Sequence, residues 1–311
     1  MAHNEQRGKD ALKNLERDLN SRDRKEKSAP WTIAALSAVV LLAAGGGIYF
    51  LANQDGGDAE VSAADESAAS TTAEPIQGEP LSRQRATPLP ATVSCSYDEA
   101  PGAGENADAG VPPTENVSTE GTATINLETS AGPIGLELDR SVAPCTVNSM
   151  EYLASEGYFD DTVCHRLTTS EGLKVLQCGD PTGTGSGGPG FQFANEYPTD
   201  EAMENLDDSA LPEGIPAEQE GAYRGQLLQA EGPVTYERGT IAMANAGLGT
   251  NGSQFFLNYG DSTLPPLYTY FGTINDEGLR TLDAIAEAGV EGGLADGAPA
   301  EEVKIESART S

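Results

Sequence analysis

The stretch CHRLTTSEGLKVLQCGDPTGTGSGGPGFQF, residues 164–193, decides the fold. It opens with His165, one of two histidines in the chain, and with Arg166 alone among hydrophobic and hydroxyl residues. Burying an arginine in an apolar strand is costly unless a partner or a cleft receives its charge. Val163–Leu167 reads as one strand, and Lys174–Gln177 as its return partner across a loop. The glycines that follow, Gly179, Gly183, Gly185, Gly187, Gly188 and Gly190, ask for backbone conformations or close approaches that a Cβ would block.

On either side of this stretch the pattern is mostly short strands. Upstream, Ala123–Leu127 and Ile134–Leu138 alternate apolar and polar residues around turn residues that include Gly132 and Pro133, a hairpin signature. A helix begins near Pro144, carries Val147, Met150, Leu153 and Ala154 on one stripe, and stops at Gly157. Downstream, Gly239–Gly247 and Ser253–Leu257 are strand-like runs around the turn pair Asn251-Gly252, and Tyr268–Ile274 is another strand. Asp276 is expected to cap a last helix through Leu279, Leu282 and Ile285, before a final strand at Val303–Ile305. Many short strands, two helices and no regular βαβ alternation predict a mainly β fold: a closed antiparallel barrel with helices over its ends. Residues 199–235 interrupt this pattern with an acidic insertion from which no large core is expected.

At this point a resemblance becomes specific. Cys164-His165-Arg166, the run from Gln177 to Gly190, Met243–Gly247, Asn251–Phe256 and Phe271-Gly272 resemble, in order and spacing, the successive signature blocks of the cyclophilin family of peptidyl-prolyl isomerases. The resemblance spans about residues 119–307 and implies an eight-stranded antiparallel barrel capped by two helices, with the domain placed at 119–308. It implies isomerisation of X-Pro bonds without cofactor or metal, with Arg166 as the catalytic arginine. Gln177 and Gln254 match positions that hold the substrate backbone and orient the arginine. Asn245 matches one that offers main-chain groups, with Gly179, Ala244 and Ala246 beside these positions in the substrate-binding set. Phe256, Leu264 and Tyr268 match the proline pocket.

Three positions depart from the family's best-known pattern. Lys174 stands where a pocket phenylalanine is usual, unless Leu173 takes that place through the enlarged loop 168–172. Thr263 stands at a tryptophan position and Tyr268 at a histidine position. These changes predict reduced or differently selective activity and weak binding of cyclosporin-like ligands. They also keep open an alternative, a catalytically weak module that binds proline-containing segments or acts as a chaperone at the cell surface.

The four cysteines, Cys95, Cys145, Cys164 and Cys178, lack a C-x-x-C spacing, so disulfides are favoured over zinc. Three pairings are possible. The family's register implies Cys164 with Cys178, which leaves Cys95 for Cys145. His165 reads as a packing residue. Gly183–Gly188 fits G-x-G-x-x-G, but Pro189 follows and no helix starts there, so it is not read as a dinucleotide site.

Toward the N-terminus the composition changes. Trp31–Ala52 carries no charge and, at about 1.5 Å per residue, is long enough to cross a hydrocarbon core of about 30 Å. Arg22, Arg24, Lys25 and Lys27 precede it, which predicts a single transmembrane helix at 31–52 with the basic tail 1–30 in the cytoplasm. Residues 53–118 are acidic and poor in large apolar residues, so a disordered stalk is expected, with 91–98 docking on the folded domain. The catalytic domain is then expected outside the cell membrane, acting on proline-containing polypeptide clients among exported proteins. The formal net charge of −31 excludes nucleic acid as a partner, since phosphate binding needs the opposite sign.

Overall fold

The computed structural model describes residues 78–102, 109–207, 211 and 214–311. The predicted basic tail, the predicted transmembrane helix at 31–52 and the first part of the stalk lie outside the described residues. Among the described residues no helix is long and apolar enough to cross a membrane.

The segment expected to be a disordered stalk is, over 78–102 and 109–118, part of the folded unit. It forms four two-residue strands, β1 (Glu79–Pro80), β2 (Thr92–Val93), β3 (Asp98–Glu99) and β4 (Val117–Ser118), of which β2 and β4 pair with each other. Leu81, Cys95, Tyr97 and Val117 are its buried anchors, and Cys95 is disulfide-bonded to Cys145. The polar composition misled because the order comes from partners elsewhere in the chain: a few widely spaced apolar residues, the disulfide, and polar ties such as Arg85 to Asp200 at 2.5 Å and to the Val142 carbonyl at 2.9 Å.

The hairpin expected at 122–138 is β5 (Thr122–Thr129) and β6 (Gly132–Asp139), paired residue for residue from Thr122↔Asp139 to Thr129↔Gly132. Helix α1 (Pro144–Ser155) follows, with proline in its first turn. It has no side-chain cap of its own. Instead the Glu196 carboxylate accepts from the Cys145 and Thr146 N–H groups at 3.0 and 2.7 Å, satisfying two of the helix's orphan donors. The strand expected at 163–167 is split into β7 (Thr162–Val163) and β8 (Arg166–Thr168); β9 (Val175–Cys178) returns beside β8, and β10 (Phe191–Gln192) closes the glycine loop and pairs with β3.

The insertion contains two helices, α2 (Thr199–Glu204) and α3 (Ala217–Glu231), and leads into β11 (Val234–Tyr236). Leu228 is fully buried, so the insertion brings some apolar packing of its own, and β11 joins a small sheet between β1 and a later strand. The remaining elements are β12 (Thr240–Met243), β13 (Phe255–Asn258), β14 (Ser262–Leu264), β15 (Tyr270–Ile274), α4 (Asp276–Ala288), a short 3-10 turn at Glu291–Gly293, β16 (Asp296–Gly297) and β17 (Lys304–Thr310). The α4 cap is Asn275, whose side chain accepts from the Gly278 N–H, and not Asp276, which is the first helical residue.

The main sheet has ten strands in the order β16-β8-β9-β13-β12-β15-β6-β5-β17-β7. Every pairing in it is antiparallel. The expected closed eight-stranded barrel is therefore corrected to a curled ten-strand ladder. Eight strands form its body, while β16 and β7 are two-residue additions at its edges. Its two ends are joined along the chain, since only Cys164 and His165 separate β7 from β8, and not by strand pairing. At this junction the Cys164 N–H donates to the Val303 carbonyl at 2.8 Å, extending the β7–β17 pairing, and the Cys164 side chain is disulfide-bonded to Cys178.

Sheet register sorts the side chains into two faces. Leu167, Leu176, Leu257 and Ile241 are successive cross-strand partners on β8, β9, β13 and β12, all fully buried in the core. The neighbouring row, Arg166, Gln177, Phe256 and Ala242, points to the opposite face, because adjacent strand residues alternate. That row carries the candidate site.

Candidate active site

Arg166 lies at the start of β8 with its side chain 18% exposed. Its Nε donates to Asp296 Oδ1 at 2.7 Å and its Nη2 to Asp296 Oδ2 at 2.6 Å, while Nη1 reaches Gln177 Oε1 at 3.4 Å. A guanidinium has five N–H groups. The two left over, one on each terminal nitrogen, have no partner among the described residues.

From Gln177 the bonding continues in one direction. Gln177 Nε2 donates to Gln254 Oε1 at 2.9 Å, and Gln254 Nε2 donates to the carbonyls of Gly185 and Gly187, each at 3.0 Å. The two loop carbonyls accept only, so they fix the amide of Gln254, which fixes that of Gln177 and turns its oxygen toward Arg166.

Asp180 shapes the loop from below. Fully buried, it accepts from the Thr182 N–H at 2.7 Å, the Thr182 hydroxyl at 2.8 Å, the Thr184 N–H at 3.0 Å and the Gly185 N–H. Burial pushes its carboxyl up, but the donors of Thr182, Gly187 and Gly185 outweigh burial and hold it below the usual carboxylate value. Two glycines are required here. Gly179 has φ +89°, and a Cβ on it would overlap the Ser253 carbonyl; a Cβ on Gly187 would overlap the Asp180 carboxylate.

Beside the arginine row lies an aromatic group. The Phe256 ring meets Tyr268 edge-on at 5.6 Å and Tyr236 at 6.2 Å, and the Tyr236 hydroxyl donates to the Tyr268 carbonyl at 2.7 Å. Leu264, also buried, sits on β14, directly paired with β11. Burial raises the Tyr268 phenol, with Arg166 acting in the opposite sense, so Tyr268 stays a neutral hydroxyl. His165 is half-buried with its Nδ1 unpartnered among the described residues, and burial lowers its pKa, so at neutral pH it is an uncharged ring.

Asn245 is held by its side chain, which donates to the Leu267 carbonyl at 2.9 Å and accepts from the Gly247 N–H at 3.1 Å. Its own main-chain N–H and carbonyl carry no partner among the described residues. The neighbouring N–H groups are engaged: Ala244 donates to the Gln254 carbonyl and Ala246 to Thr250 Oγ1.

The structure thus brings Arg166, Gln177, Gln254 and Phe256 into one patch, with Gly179 packed closely on the Ser253 backbone next to Gln254. Lys174 is exposed and Leu173 half-buried, and the Thr263 N–H bonds the Gly172 carbonyl at 2.8 Å, so the enlarged loop leans on β14. Both expected disulfides, Cys164–Cys178 and Cys95–Cys145, are formed. Three contributors escaped sequence reasoning. Asp296 carries no local signal, being one acidic residue among many. Tyr236 had a weak one, the alternation of Val234-Thr235-Tyr236. Asp180 had a stronger one, an aspartate at the head of a Pro/Thr/Gly turn.

Residues 124–310 match the family described as cyclophilin-type peptidyl-prolyl cis-trans isomerase. A Mycobacterium tuberculosis protein named "Probable peptidyl-prolyl cis-trans isomerase B" is 50% identical over 216 residues, covering 69% of this chain and 63% of its own length. The Mycobacterium leprae protein of the same name is 49% identical over 219 residues, covering 70% and 66%. "Peptidyl-prolyl cis-trans isomerase A" of Mycobacterium tuberculosis is 34% identical over 203 residues, covering 60% of this chain and 91% of its own. The chain therefore spans about two thirds of the length of the B-type relatives. On the extent of the family match and these identities, the chain belongs to the cyclophilin-type peptidyl-prolyl cis-trans isomerase family.

Proposed function

We propose that this chain is a peptidyl-prolyl cis-trans isomerase that accelerates rotation about X-Pro bonds of polypeptide clients. Amide resonance opposes this rotation by about 18–20 kcal/mol. No covalent step is required. In the twisted amide the proline nitrogen becomes pyramidal and gains a lone pair, which a fixed donor meets better than it meets the planar ground state. The observation that carries the reading is Arg166: three of its N–H groups are held by Asp296 and Gln177, and two remain to donate on the face that also carries Phe256, whose ring packs edge-on against Tyr268. The open main-chain groups of Asn245 suit the client segment preceding proline.

The charge-free run at 31–52, with its basic flank, supports an anchored chain whose catalytic domain lies outside the cell membrane and meets exported proteins. Its two disulfides fit an oxidising compartment.

The test is cis/trans exchange of a short Ala-Pro peptide, measured by NMR with the full chain in mild detergent beside an Arg166→Ala variant. Catalysed exchange that falls about a hundredfold in the variant is expected. Uncatalysed exchange accompanied by peptide shift changes would instead make the chain a binder of proline segments.

A further inference from the structure

We infer that Asp296 is a positioning residue for the isomerase reaction, fixing the guanidinium of Arg166 so that its two uncommitted N–H groups present one direction to the substrate. The inference rests on the proposed isomerase reading.

The geometry is a two-pronged ion pair, Nε to Oδ1 at 2.7 Å and Nη2 to Oδ2 at 2.6 Å. Such a fork fixes the plane of the guanidinium as well as its place, which a single bond does not. Gln177 holds the other terminal nitrogen only at 3.4 Å, so the tighter grip belongs to the carboxylate. Asp296 is itself fixed. Its backbone is on β16, with Asp296 opposite Thr168 and Gly297 opposite Leu167, and the preceding Ala295 carbonyl accepts from the Thr169 N–H at 2.9 Å. The edge strand β16 thus lies against β8 with its carboxylate beside the arginine two residues from the pairing point.

The side chain is 39% exposed, and the β16 pairing is made by backbone atoms, so it is open to substitution without opening the core. Asparagine keeps one acceptor and sets an NH2 against an arginine N–H. Glutamate keeps the charge and moves the fork by one methylene. If Asp296 only stabilised the loop, activity would follow stability. If it positions Arg166, kcat would fall with KM nearly unchanged, because the lost alignment matters in the twisted state.

The experiment uses the full chain in mild detergent, wild type beside Asp296→Asn, Asp296→Glu and, as a control for loss of an exposed ion-paired aspartate elsewhere, Asp283→Asn. Peptide exchange rates are measured together with the NMR signal of the Arg166 Nε–H and its exchange with water. The expected result is a kcat lower by about tenfold in Asp296→Asn, partial recovery in Asp296→Glu, no change in Asp283→Asn, and a fast-exchanging Arg166 Nε–H only when Asp296 is altered. Unchanged kcat in Asp296→Asn with a protected Nε–H would overturn the inference, as would a loss matched by a lowered melting temperature with the Nε–H still protected. A wild-type chain that leaves exchange at the uncatalysed rate would overturn the isomerase reading instead. The Nε–H measurement would then still decide whether Asp296 fixes Arg166.

Discussion

Gln177 donates its side-chain amide to the side-chain oxygen of Gln254 at 2.9 Å, across 77 residues of sequence. This bond links the glycine loop to the arginine: the carbonyls of Gly185 and Gly187 hold one end of the pair, and Arg166 lies at the other. The orientation of both amides follows from the loop. Gln254→Glu replaces a double donor with a carboxylate facing two carbonyls. We expect about a tenfold fall in kcat/KM for an Ala-Pro peptide and faster amide hydrogen exchange over 182–188, since repelled acceptors separate. Activity and exchange both at wild-type levels would show that the loop does not depend on this contact.

The aromatic group around Phe256 is braced by a bond between two tyrosines. Tyr236→Phe removes the donor to the Tyr268 carbonyl while keeping the ring. The expected cost is about 1–3 kcal/mol, from a buried acceptor left unpaired, read in a denaturant titration. KM should rise as Tyr268 loses its tether, with kcat less affected. Loss confined to kcat would speak against the bracing role.

Asp180 gives the fold a calculable acid limit. The donors of Thr182, Gly187 and Gly185 hold its carboxyl below the ordinary carboxylate value in the folded chain, so between the folded and unfolded values the unfolded chain binds more protons and stability rises with pH. The contribution is complete above the unfolded value and is lost as pH falls through the lower folded value. Asp180→Asn should remove this part of the stability–pH curve and cost about 2–3 kcal/mol at neutral pH. Denaturant midpoints between pH 2 and pH 7 for the two proteins check it, and parallel curves would refute the assignment.

The disulfides close chain segments of different length, 50 residues for Cys95–Cys145 and 14 for Cys164–Cys178. Loop-closure entropy gives about 4 and about 3 kcal/mol respectively. Replacing Cys95 and Cys145 with serine should shift the denaturant midpoint more than replacing Cys164 and Cys178. It should also loosen 91–102, seen as faster hydrogen exchange there, while 78–90 stays held by Arg85, which pairs with Asp200 at 2.5 Å and donates to the Val142 carbonyl at 2.9 Å. Retained protection of 91–102 would show that the noncovalent ties there, among them the Tyr97 hydroxyl on the Cys145 carbonyl at 2.7 Å, suffice without the disulfide.

Much of this architecture is local in origin, and the sequence by itself determined it. Alternation at Thr122–Leu138 made β5 and β6, proline and the stripe from Val147 to Ala154 made α1, and Arg166, Gln177, Gln254 and Phe256 were legible because their surrounding runs are distinctive in type and order. Tertiary structure alone decided the rest, for one physical reason: the deciding contacts join residues far apart whose local sequence is unremarkable. Asp296 meets Arg166 over 130 residues on a two-residue strand. Residues 78–102 and 109–118 look too polar to order, since their stabilisation comes from partners elsewhere: β11 for β1, β10 for β3, and Cys145 for Cys95. That the ladder runs through ten strands with β16 and β7 at its edges, and not as a closed eight-stranded ring, follows from pairings such as Lys304↔Val163 and Asp296↔Thr168, which join residues far apart in the chain.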